Sequence, residues 1–260
     1  MILDHFKKAA EQLATARANR TTCGRISDQY GIHTMDDAYR VQEINTELAL
    51  KNGRRIVGRK IGLTSKAVQE QLGVDQPDFG MLYADMEVGD GEAIDSSRLV
   101  QPKVEGEIAF VLKRDLPTED TSLAELISSI DYVLPALEVV DTVIDKWDFT
   151  LADTIADNAS SGLYVLGKTP ITLESLNLEL EGMLLYKNGE LASMGVGAAC
   201  LGNPLNACLW LARTMSQKGR PLLCGDVLLS GALGPMVNVA KGDKISMKLT
   251  RLGEVSCEFI

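Results

Sequence analysis

Residues 104–112 read VEGEIAFVL, and this stretch decides how the rest of the chain is interpreted. Apolar and polar side chains alternate in it, which is typical of a β-strand whose side chains point to opposite faces in turn. Glu105 and Glu107 therefore share one face and lie about 7 Å apart. Gly106 between them leaves room for a ligand or another backbone to approach. The strand either keeps its carboxylates in solvent, as half-buried strands usually do, or carries an acidic site.

A second apolar strand is predicted at residues 132–141, which read YVLPALEVVD. Pro135 predicts that this strand is an edge strand or contains a bulge, because proline cannot donate to a central ladder. Glu138 lies among leucine and valine residues, where an unpaired carboxylate is costly to bury.

Convergence of Glu105, Glu107 and Glu138 would raise their pKa values through mutual repulsion. A hard divalent cation such as Mg²⁺ or Mn²⁺, which prefers oxygen ligands, would remove that repulsion. The spacing alone leaves open whether the three carboxylates meet.

Two further residues could carry proton chemistry. Lys60 stands between apolar residues in IVGRKIGLTS, residues 56–65, and a partly buried lysine can transfer protons with a lowered pKa. It could also neutralise an acidic cluster or be a surface lysine. Asp78 lies within residues 73–86, GVDQPDFGMLYADM, which are predicted to form a loop because Pro77 and a glycine punctuate them. The alternative for Asp78 is a turn aspartate that caps local backbone.

Two polar or glycine-rich segments complete the candidates. Residues 153–162, DTIADNASSG, could donate hydrogen bonds to a carboxylate or could be a solvated loop. Residues 231–236, GALGPM, could let backbone approach a ligand or could be a simple turn between strands.

The order of the predicted elements indicates an α+β fold. Helices are predicted up to about Asn19 and after Thr34, whose hydroxyl forms a cap-like pattern with Asp37, and a short helix is predicted between Ser65 and Gly73, whereas strands dominate from about residue 100. Later helices are predicted from Ser122 to about Ile130 and over residues 203–219, where Asn203 is the cap and Pro204 lies in the first turn. A hairpin is predicted near Gly253. We divide the chain into a helical N-terminal part, 1–75, and a catalytic part, 76–260, with the boundary open and a single domain as the alternative.

The composition excludes several classes of protein. The formal charge of −10 argues against a nucleic-acid partner, and no apolar run is long enough to span a membrane. Five cysteines without a CxxC pair, and no signal-peptide pattern, predict a cytoplasmic protein. Only two histidines occur, both near the N-terminus, so a Ser-His-Asp triad and an HExxH zinc site are not expected.

Five segments in a fixed order carry a resemblance to a known family. They are IVGRKIGLTSKAVQEQLGVDQPDFG, QPKVEGEIAFVLKRDL, VLPALEVVD, DTIADNASSG and GALGPM. Together they resemble the 2-keto-4-pentenoate hydratase family of the fumarylacetoacetate hydrolase superfamily, from about residue 35 to the C-terminus.

The resemblance implies a mixed β-roll surrounded by helices, with a helical N-terminal part. It implies that Mg²⁺ or Mn²⁺ is bound by three carboxylates and that a lysine and an aspartate are catalytic. It also assigns two residues to substrate binding. In this sequence the metal ligands are Glu105, Glu107 and Glu138, the catalytic residues are Lys60 and Asp78, and the substrate-binding residues are Leu63 and Ser160.

The implied reaction is the hydration of 2-hydroxypenta-2,4-dienoate to 4-hydroxy-2-oxopentanoate, after meta-cleavage of aromatic rings. The resemblance further implies a homo-oligomer, a pentamer or decamer, and leaves open an association with the pathway's decarboxylase or aldolase. A 2-oxo-3-hexenedioate (4-oxalocrotonate) decarboxylase is the nearest alternative. A superfamily C–C bond hydrolase would need a histidine base that these motifs lack. A non-catalytic acidic scaffold that binds cations is the alternative of another class.

Overall fold

The computed structural model describes residues 2–66, 69–70 and 74–260, with side chains of residues 2 and 3 left aside. The short helix predicted between Ser65 and Gly73 lies largely outside the described residues. No helix in the described part combines the length and apolar character that crossing a bilayer requires. The five cysteines are free thiols.

Three helices form the N-terminal part: α1 (Ile2–Asn19), α2 (Ile26–Tyr30) and α3 (Met35–Lys51). The predicted cap of α3 is confirmed, because the Thr34 side chain accepts a hydrogen bond from the Asp37 backbone N–H. The five-residue α2 was not predicted, since it is too short to show a helical period and has no side-chain cap. These helices share a separate apolar core with residues 143–156.

A large curled sheet carries the candidate residues. Its strand order is β2-β1-β10-β5-β6-β7-β3, and β11 pairs with β5. The strands are β1 (Ile56–Gly62), β2 (Asp78–Tyr83), β3 (Glu87–Gly89), β5 (Pro102–Leu112), β6 (Ile130–Asp141), β7 (Ser161–Leu166), β10 (Val227–Leu229) and β11 (Val237–Asn238). The sheet curls until β2 faces the start of β7, where a Cβ on Gly80 would lie 2.2 Å from the Asn158 carbonyl oxygen.

A smaller sheet packs against the large one. Its order is β4-β13-β12-β8-β9, made of β4 (Ala93–Ile94), β8 (Gly182–Lys187), β9 (Glu190–Val196), β12 (Lys244–Leu249) and β13 (Gly253–Phe259). The predicted hairpin at Gly253 joins β12 to β13, where Gly253 has a φ of 92°. The room left by Gly106 is used here, since a Cβ on it would lie 2.5 Å from Met247 Sδ and 2.8 Å from Met183 Sδ. Gly106 therefore allows close packing between the sheets, because two methionine side chains of the smaller sheet occupy the space where a side chain would lie.

Three later helices surround the sheets: α4 (Leu123–Ser129), α5 (Leu151–Ala156) and α6 (Pro204–Gln217). The helix predicted from Ser122 is present as α4, with a Ser122 side-chain cap that was not predicted, and the Asn203 side chain caps α6 with proline in its first turn, as predicted. The architecture of two sheets and flanking helices confirms the α+β prediction.

Two local predictions were wrong. Residues 78–83 form strand β2 and not a loop, because antiparallel pairing with β1 outweighs the turn signals of Pro77 and Gly80. Strand β6 is internal, between β5 and β7, so the edge-strand alternative was wrong, whereas β6 does contain a bulge, since its register with β5 shifts between Ile130 and Tyr132, away from Pro135. The ladder with β7 ends at Ala136 and Leu166, next to the proline, so the missing N–H interrupts no pair with β7.

Candidate active site

Three glutamates meet on the concave face of the large sheet and form what we call the acidic cluster: Glu105, Glu107 and Glu138. Glu105 and Glu138 are direct register partners on β5 and β6, and Glu107 is the next residue on the same face. One carboxylate oxygen from each lies within 4.8 Å of the others. Glu107 and Glu138 are 0% exposed, so the alternative of a solvent-facing strand is wrong.

The acidic cluster contains carboxylate oxygens that accept no hydrogen bond and are free to bind a cation. The Gly231 backbone N–H donates to Glu107 Oε2 at 2.8 Å, whereas Glu107 Oε1 and Glu138 Oε2 have no hydrogen-bond partner. Burial raises the pKa of Glu107 well above its usual range, and the charges of Glu138 and Glu105 raise it further. Burial likewise raises the pKa of Glu105 to about 7, against the opposing effect of Lys60. Buried unpaired carboxylate oxygens at this spacing fit a hard divalent cation.

Lys60 reaches the acidic cluster from β1, on the opposite wall of the curled sheet. Its Nζ lies 2.9 Å from Glu138 Oε1, and the residue is 3% exposed. Burial acts to lower the pKa of Lys60, but the charges of Glu138 and the neighbouring carboxylates outweigh burial and raise the pKa. Of the two roles that the sequence left open for a buried Lys60, neutralising the acidic cluster is therefore favoured over a lowered pKa, because the neighbouring carboxylates stabilise the ammonium. The alternative of a surface lysine is excluded.

Asp78 is the first residue of β2 and pairs in register with Gly62 of β1. The fit is close, since a Cβ on Gly62 would lie 2.1 Å from Asp78 Oδ1. Asp78 is 3% exposed, and its Oδ1 has no hydrogen-bond partner. Burial raises the pKa of Asp78 to about 6, with Lys60 opposing and Glu138 reinforcing this shift. A buried strand aspartate with an unpaired oxygen is not the turn cap that the sequence allowed.

Residues 158–160 form a turn with left-handed backbone at three successive positions, with φ values of 54°, 50° and 55°. The Asn158 amide explains how this turn is held: its Oδ1 accepts from Met81 N at 2.7 Å, and its Nδ2 donates to Met81 O at 2.9 Å. The turn places the hydroxyl of Ser160 in a buried position, 3.1 Å from Thr154 Oγ1. The alternative of a solvated loop is therefore wrong.

Leu63 and Gly231 lie where two loops meet beside β1. Leu63 has a φ of 56°, which a residue with a side chain rarely adopts. Gly231 has a φ of 98°, and a Cβ on it would lie 2.4 Å from Thr64 Oγ1. Because Gly231 also donates to Glu107, residues 231–236 bring backbone against the site, as one of the two interpretations of the sequence expected.

Sequence reasoning missed the residues that hold this site together. Tyr39 and Gln42 of α3 contact Phe79 from the N-terminal part, and Arg17 of α1 forms ion pairs with Asp141 at 2.6 Å and Asp157 at 3.0 Å. A polar residue on the apolar face of a helix, such as Gln42 beside Val41, was the available signal. A cavity of about 450 Å³ between α1, α3 and the sheet lies elsewhere and is not lined by the acidic cluster.

Known proteins with similar sequences and folds show the family of this chain. The family described as "Fumarylacetoacetate (FAA) hydrolase C-terminal" matches residues 49–260. A 2-keto-4-pentenoate hydratase of Paraburkholderia xenovorans (strain LB400) is 53% identical over 97% of this chain and 94% of its own length. A 2-hydroxyhexa-2,4-dienoate hydratase of Comamonas testosteroni is 39% identical over 96% and 95%.

Among solved structures, the 4-oxalocrotonate decarboxylase of Pseudomonas putida G7, complexed with magnesium and adipate, superposes with a TM-score of 0.95. The two sequences are 35% identical, and the superposition covers 100% of this chain and 98% of the decarboxylase chain. The mixed β-roll expected from the resemblance is thereby confirmed. The chain belongs to the 2-keto-4-pentenoate hydratase family, within the fumarylacetoacetate hydrolase superfamily.

Proposed function

We propose that the protein is a divalent-metal-dependent hydro-lyase that converts 2-hydroxypenta-2,4-dienoate (2-oxopent-4-enoate) to 4-hydroxy-2-oxopentanoate in the meta-cleavage catabolism of aromatic compounds. One observation carries the proposal: the buried acidic cluster stands beside Lys60 in a chain 53% identical to a hydratase. The 4-oxalocrotonate decarboxylase reaction is the second candidate, because that enzyme's fold superposes over the whole chain.

The acidic cluster would hold Mg²⁺ or Mn²⁺ through its three carboxylates, with open positions for substrate oxygens. When bound, such a cation supplies Lewis-acid stabilisation of negative charge on the substrate's 2-oxygen. The unpaired oxygens of Glu107 and Glu138 support this assignment, since burial of those carboxylates without a cation is costly.

The proton transfers fall to Asp78 and Lys60. A pKa of about 6 leaves most Asp78 carboxylates ionised at neutral pH, so Asp78 suits the role of acceptor. Lys60 keeps its ammonium protonated, so it holds the proton that a donor delivers, and the positive charge of a bound cation would bring its raised pKa down toward the working pH. The 2-hydroxyl loses a proton and C5 gains one, which produces a conjugated 2-oxo-3-enoate. Water then adds its oxygen at C4, and a proton is added at C3, so the net change is one water gained.

Ser160 and Leu63 would orient the substrate. The Ser160 hydroxyl can donate a hydrogen bond to the substrate carboxylate, and it is buried on a turn that is fixed to β2 by Asn158. Leu63 lies three residues after Lys60, in a left-handed conformation that turns the backbone beside the site. Rigid placement of binding groups is what aligns a bound substrate for reaction.

The experiment follows the ultraviolet absorbance of freshly generated 2-hydroxypenta-2,4-dienoate with purified protein and Mg²⁺ or Mn²⁺, against an EDTA control. Metal-dependent decay with gain of one water by mass supports the hydratase. If 2-oxo-3-hexenedioate decays with release of CO₂ and the dienoate is not hydrated, the protein is a decarboxylase and the hydratase proposal fails. If the protein binds the metal but turns over neither acid, both enzyme proposals fail and the protein is a cation-binding scaffold.

Assembly, location and domain division are part of the same proposal. We propose a homo-oligomer, a pentamer or decamer, and the exposed Leu184, Leu191 and Met194 on the β8–β9 hairpin support a buried contact between copies. The five free thiols support a cytoplasmic location. The helical part, 1–75, and the catalytic part, 76–260, share one sheet through β1. Light scattering of the purified protein tests the oligomer, and a monomer would overturn it.

A further inference from the structure

The outer edge of β2 is bonded by side chains where a sheet would otherwise place another strand. Strand β2 ends the large sheet, so the outward N–H and C=O groups of Phe79 and Met81 have no neighbouring strand. Phe79 N–H donates to Tyr39 Oη at 3.3 Å, and Phe79 O accepts from Gln42 Nε2 at 2.9 Å. Asn158 binds both groups of Met81. We call this arrangement the clamped edge: the outward backbone of Phe79 and Met81 with the side chains of Tyr39, Gln42 and Asn158.

The two α3 residues of the clamped edge act on the residue that follows Asp78. Tyr39 and Gln42 are three positions apart and therefore lie on one face of α3. The Tyr39 ring also stacks on the Phe79 ring, with centroids 4.5 Å apart and planes 12° apart. Gln42 is 3% exposed, so its amide bonds are shielded from water. Backbone on both sides of the Phe79 α-carbon is thereby attached to the N-terminal helices.

Asp78 depends on its backbone for orientation. No side chain donates a hydrogen bond to its Oδ1, and the backbone groups beside the carboxylate are those of Gly62 and of Asp78 itself, so the carboxylate follows the β1–β2 backbone. Gly62 packs closely against the Asp78 carboxylate on one side, which is possible because Gly62 has no Cβ. A small rotation of the peptide between Asp78 and Phe79 would move the carboxylate relative to Lys60, and displacements of about 1 Å can cost about 10²-fold in rate.

Gln42 also connects the two halves of the proposed site. The same Nε2 donates to Ile155 O at 2.9 Å, and Ile155 belongs to α5, which leads into the turn that carries Ser160. A single amide group therefore bonds both the strand of Asp78 and the helix before Ser160.

We propose that Tyr39 and Gln42 are positioning residues, which fix the position of Asp78 relative to Lys60 by bonding both outward backbone groups of Phe79. This inference rests on the proposed function for its catalytic consequence. The helical N-terminal part is thus a working component of the active site, although its side chains need not touch substrate.

The test uses the variants Tyr39→Phe and Gln42→Met in the full-length protein. Tyr39→Phe removes only the acceptor of the Phe79 N–H and keeps the ring stack, and Gln42→Met keeps the side-chain length but removes both donated bonds. Asn45→Leu is the matched control, because Asn45 of the same helix donates to Ala10 O on α1 and makes no such bond to β2.

Four quantities are measured for each variant: kcat and KM for the dienoate, calorimetric Mn²⁺ affinity, and amide hydrogen exchange of the peptide covering residues 78–83. We expect kcat to fall about 10-fold in Tyr39→Phe and up to about 10²-fold in Gln42→Met. KM and Mn²⁺ affinity should stay within about threefold, since the acidic cluster is untouched. The 78–83 peptide should exchange faster in both variants and not in Asn45→Leu.

Two results overturn the proposal. One is a kcat loss in Tyr39→Phe and Gln42→Met no larger than that in Asn45→Leu. The other is unchanged exchange of the 78–83 peptide in both variants. If the wild-type protein hydrates no dienoate, the proposed function fails, whereas the exchange comparison still decides whether these side chains hold β2 in place.

Discussion

The acidic cluster and the clamped edge face the same site but are built by different means. The cluster stands on β5 and β6, where one regular register places Glu105 opposite Glu138 and needs no other element. The clamped edge depends on side chains from α3 and the 158–160 turn, which are far from β2 in the sequence. Regular backbone pairing positions the proposed metal ligands, and long-range side-chain hydrogen bonds position the strand of Asp78.

The acidic cluster serves function at a cost in stability, whereas the clamped edge stabilises the fold. In the acidic cluster, carboxylates are buried with unpaired oxygens, a costly arrangement that a bound cation would relieve. In the clamped edge, every outward backbone group of Phe79 and Met81 is paired, which stabilises the fold. Changes at Glu105 or Glu107 should therefore remove activity without destabilising the metal-free protein, and changes in the clamped edge should lower stability.

The largest effect is expected for Glu107→Gln. The amide removes a charged ligand, so Mn²⁺ binding should be lost and turnover should fall at least about 10³-fold. In EDTA the variant should melt at a higher temperature than the wild type, because one of three repelling buried carboxylates is gone. Calorimetry, the dienoate assay and thermal melts check these results, with exposed Glu119→Gln as the control. A variant that keeps wild-type Mn²⁺ affinity contradicts the metal assignment.

Lys60→Met is expected to lower turnover about 10²-fold or more, because the proposed proton donor is lost. In EDTA its melting temperature should fall, opposite to that of Glu107→Gln, since Glu138 loses the ammonium at 2.9 Å and stays buried. Mn²⁺ should still bind. Exposed Lys113→Met is the matched control. Wild-type turnover by Lys60→Met would exclude an essential role in proton transfer.

Mn²⁺ affinity should rise with pH. Glu105 has a pKa raised to about 7, and burial raises the pKa of Glu107 well above its usual value, so protons must leave both carboxyl groups before a cation binds. Each carboxyl group that has a pKa near 7 and must release its proton adds about a tenfold gain in Mn²⁺ affinity between pH 6 and pH 8. Calorimetry in buffers of different ionisation enthalpy measures the affinity and the protons released. A flat profile would mean that the carboxylates are already ionised in the free protein.

The metal-free protein should lose stability across the same pH range. Raised folded-state pKa values mean that the folded protein holds protons that the unfolded chain has released. Their contribution is therefore present at low pH and is lost as the pH rises through about 6 for Asp78 and about 7 for Glu105. Urea unfolding in EDTA at pH 5.5 and pH 8 checks this direction, and Glu107→Gln should show a weaker dependence.

The smallest effect is expected at the clamped edge, for Asn158→Ala. Loss of both bonds to Met81 should lower the free energy of unfolding by about 1–3 kcal/mol, measured with urea. Asn206→Ala is the control, because Asn206 is exposed and donates one bond to Leu201 O, so its loss should cost less than about 0.5 kcal/mol. Equal losses in the two variants would show that the bonds to Met81 are not special.

Local patterns predicted the parts of the molecule that neighbouring residues determine. The alternation in residues 104–112 predicted β5 and the shared face of Glu105 and Glu107, and the caps at Thr34 and Asn203 predicted two helices. The same local signals failed at residues 78–83, where turn-forming residues lie in a strand. Pairing with β1 decides that segment, and no pattern within it reports a partner.

The sequence by itself determined the α+β class, the acidic strand pair and, through five ordered segments, the family. The tertiary structure alone decided that Glu138 meets Glu105, that Lys60 reaches across the curled sheet, and that α3 bonds Phe79. The reason is physical. Side-chain periodicity is set by bonds between neighbouring residues, whereas register, curvature and edge pairing depend on burial and hydrogen bonds between segments that the chain brings together only on folding.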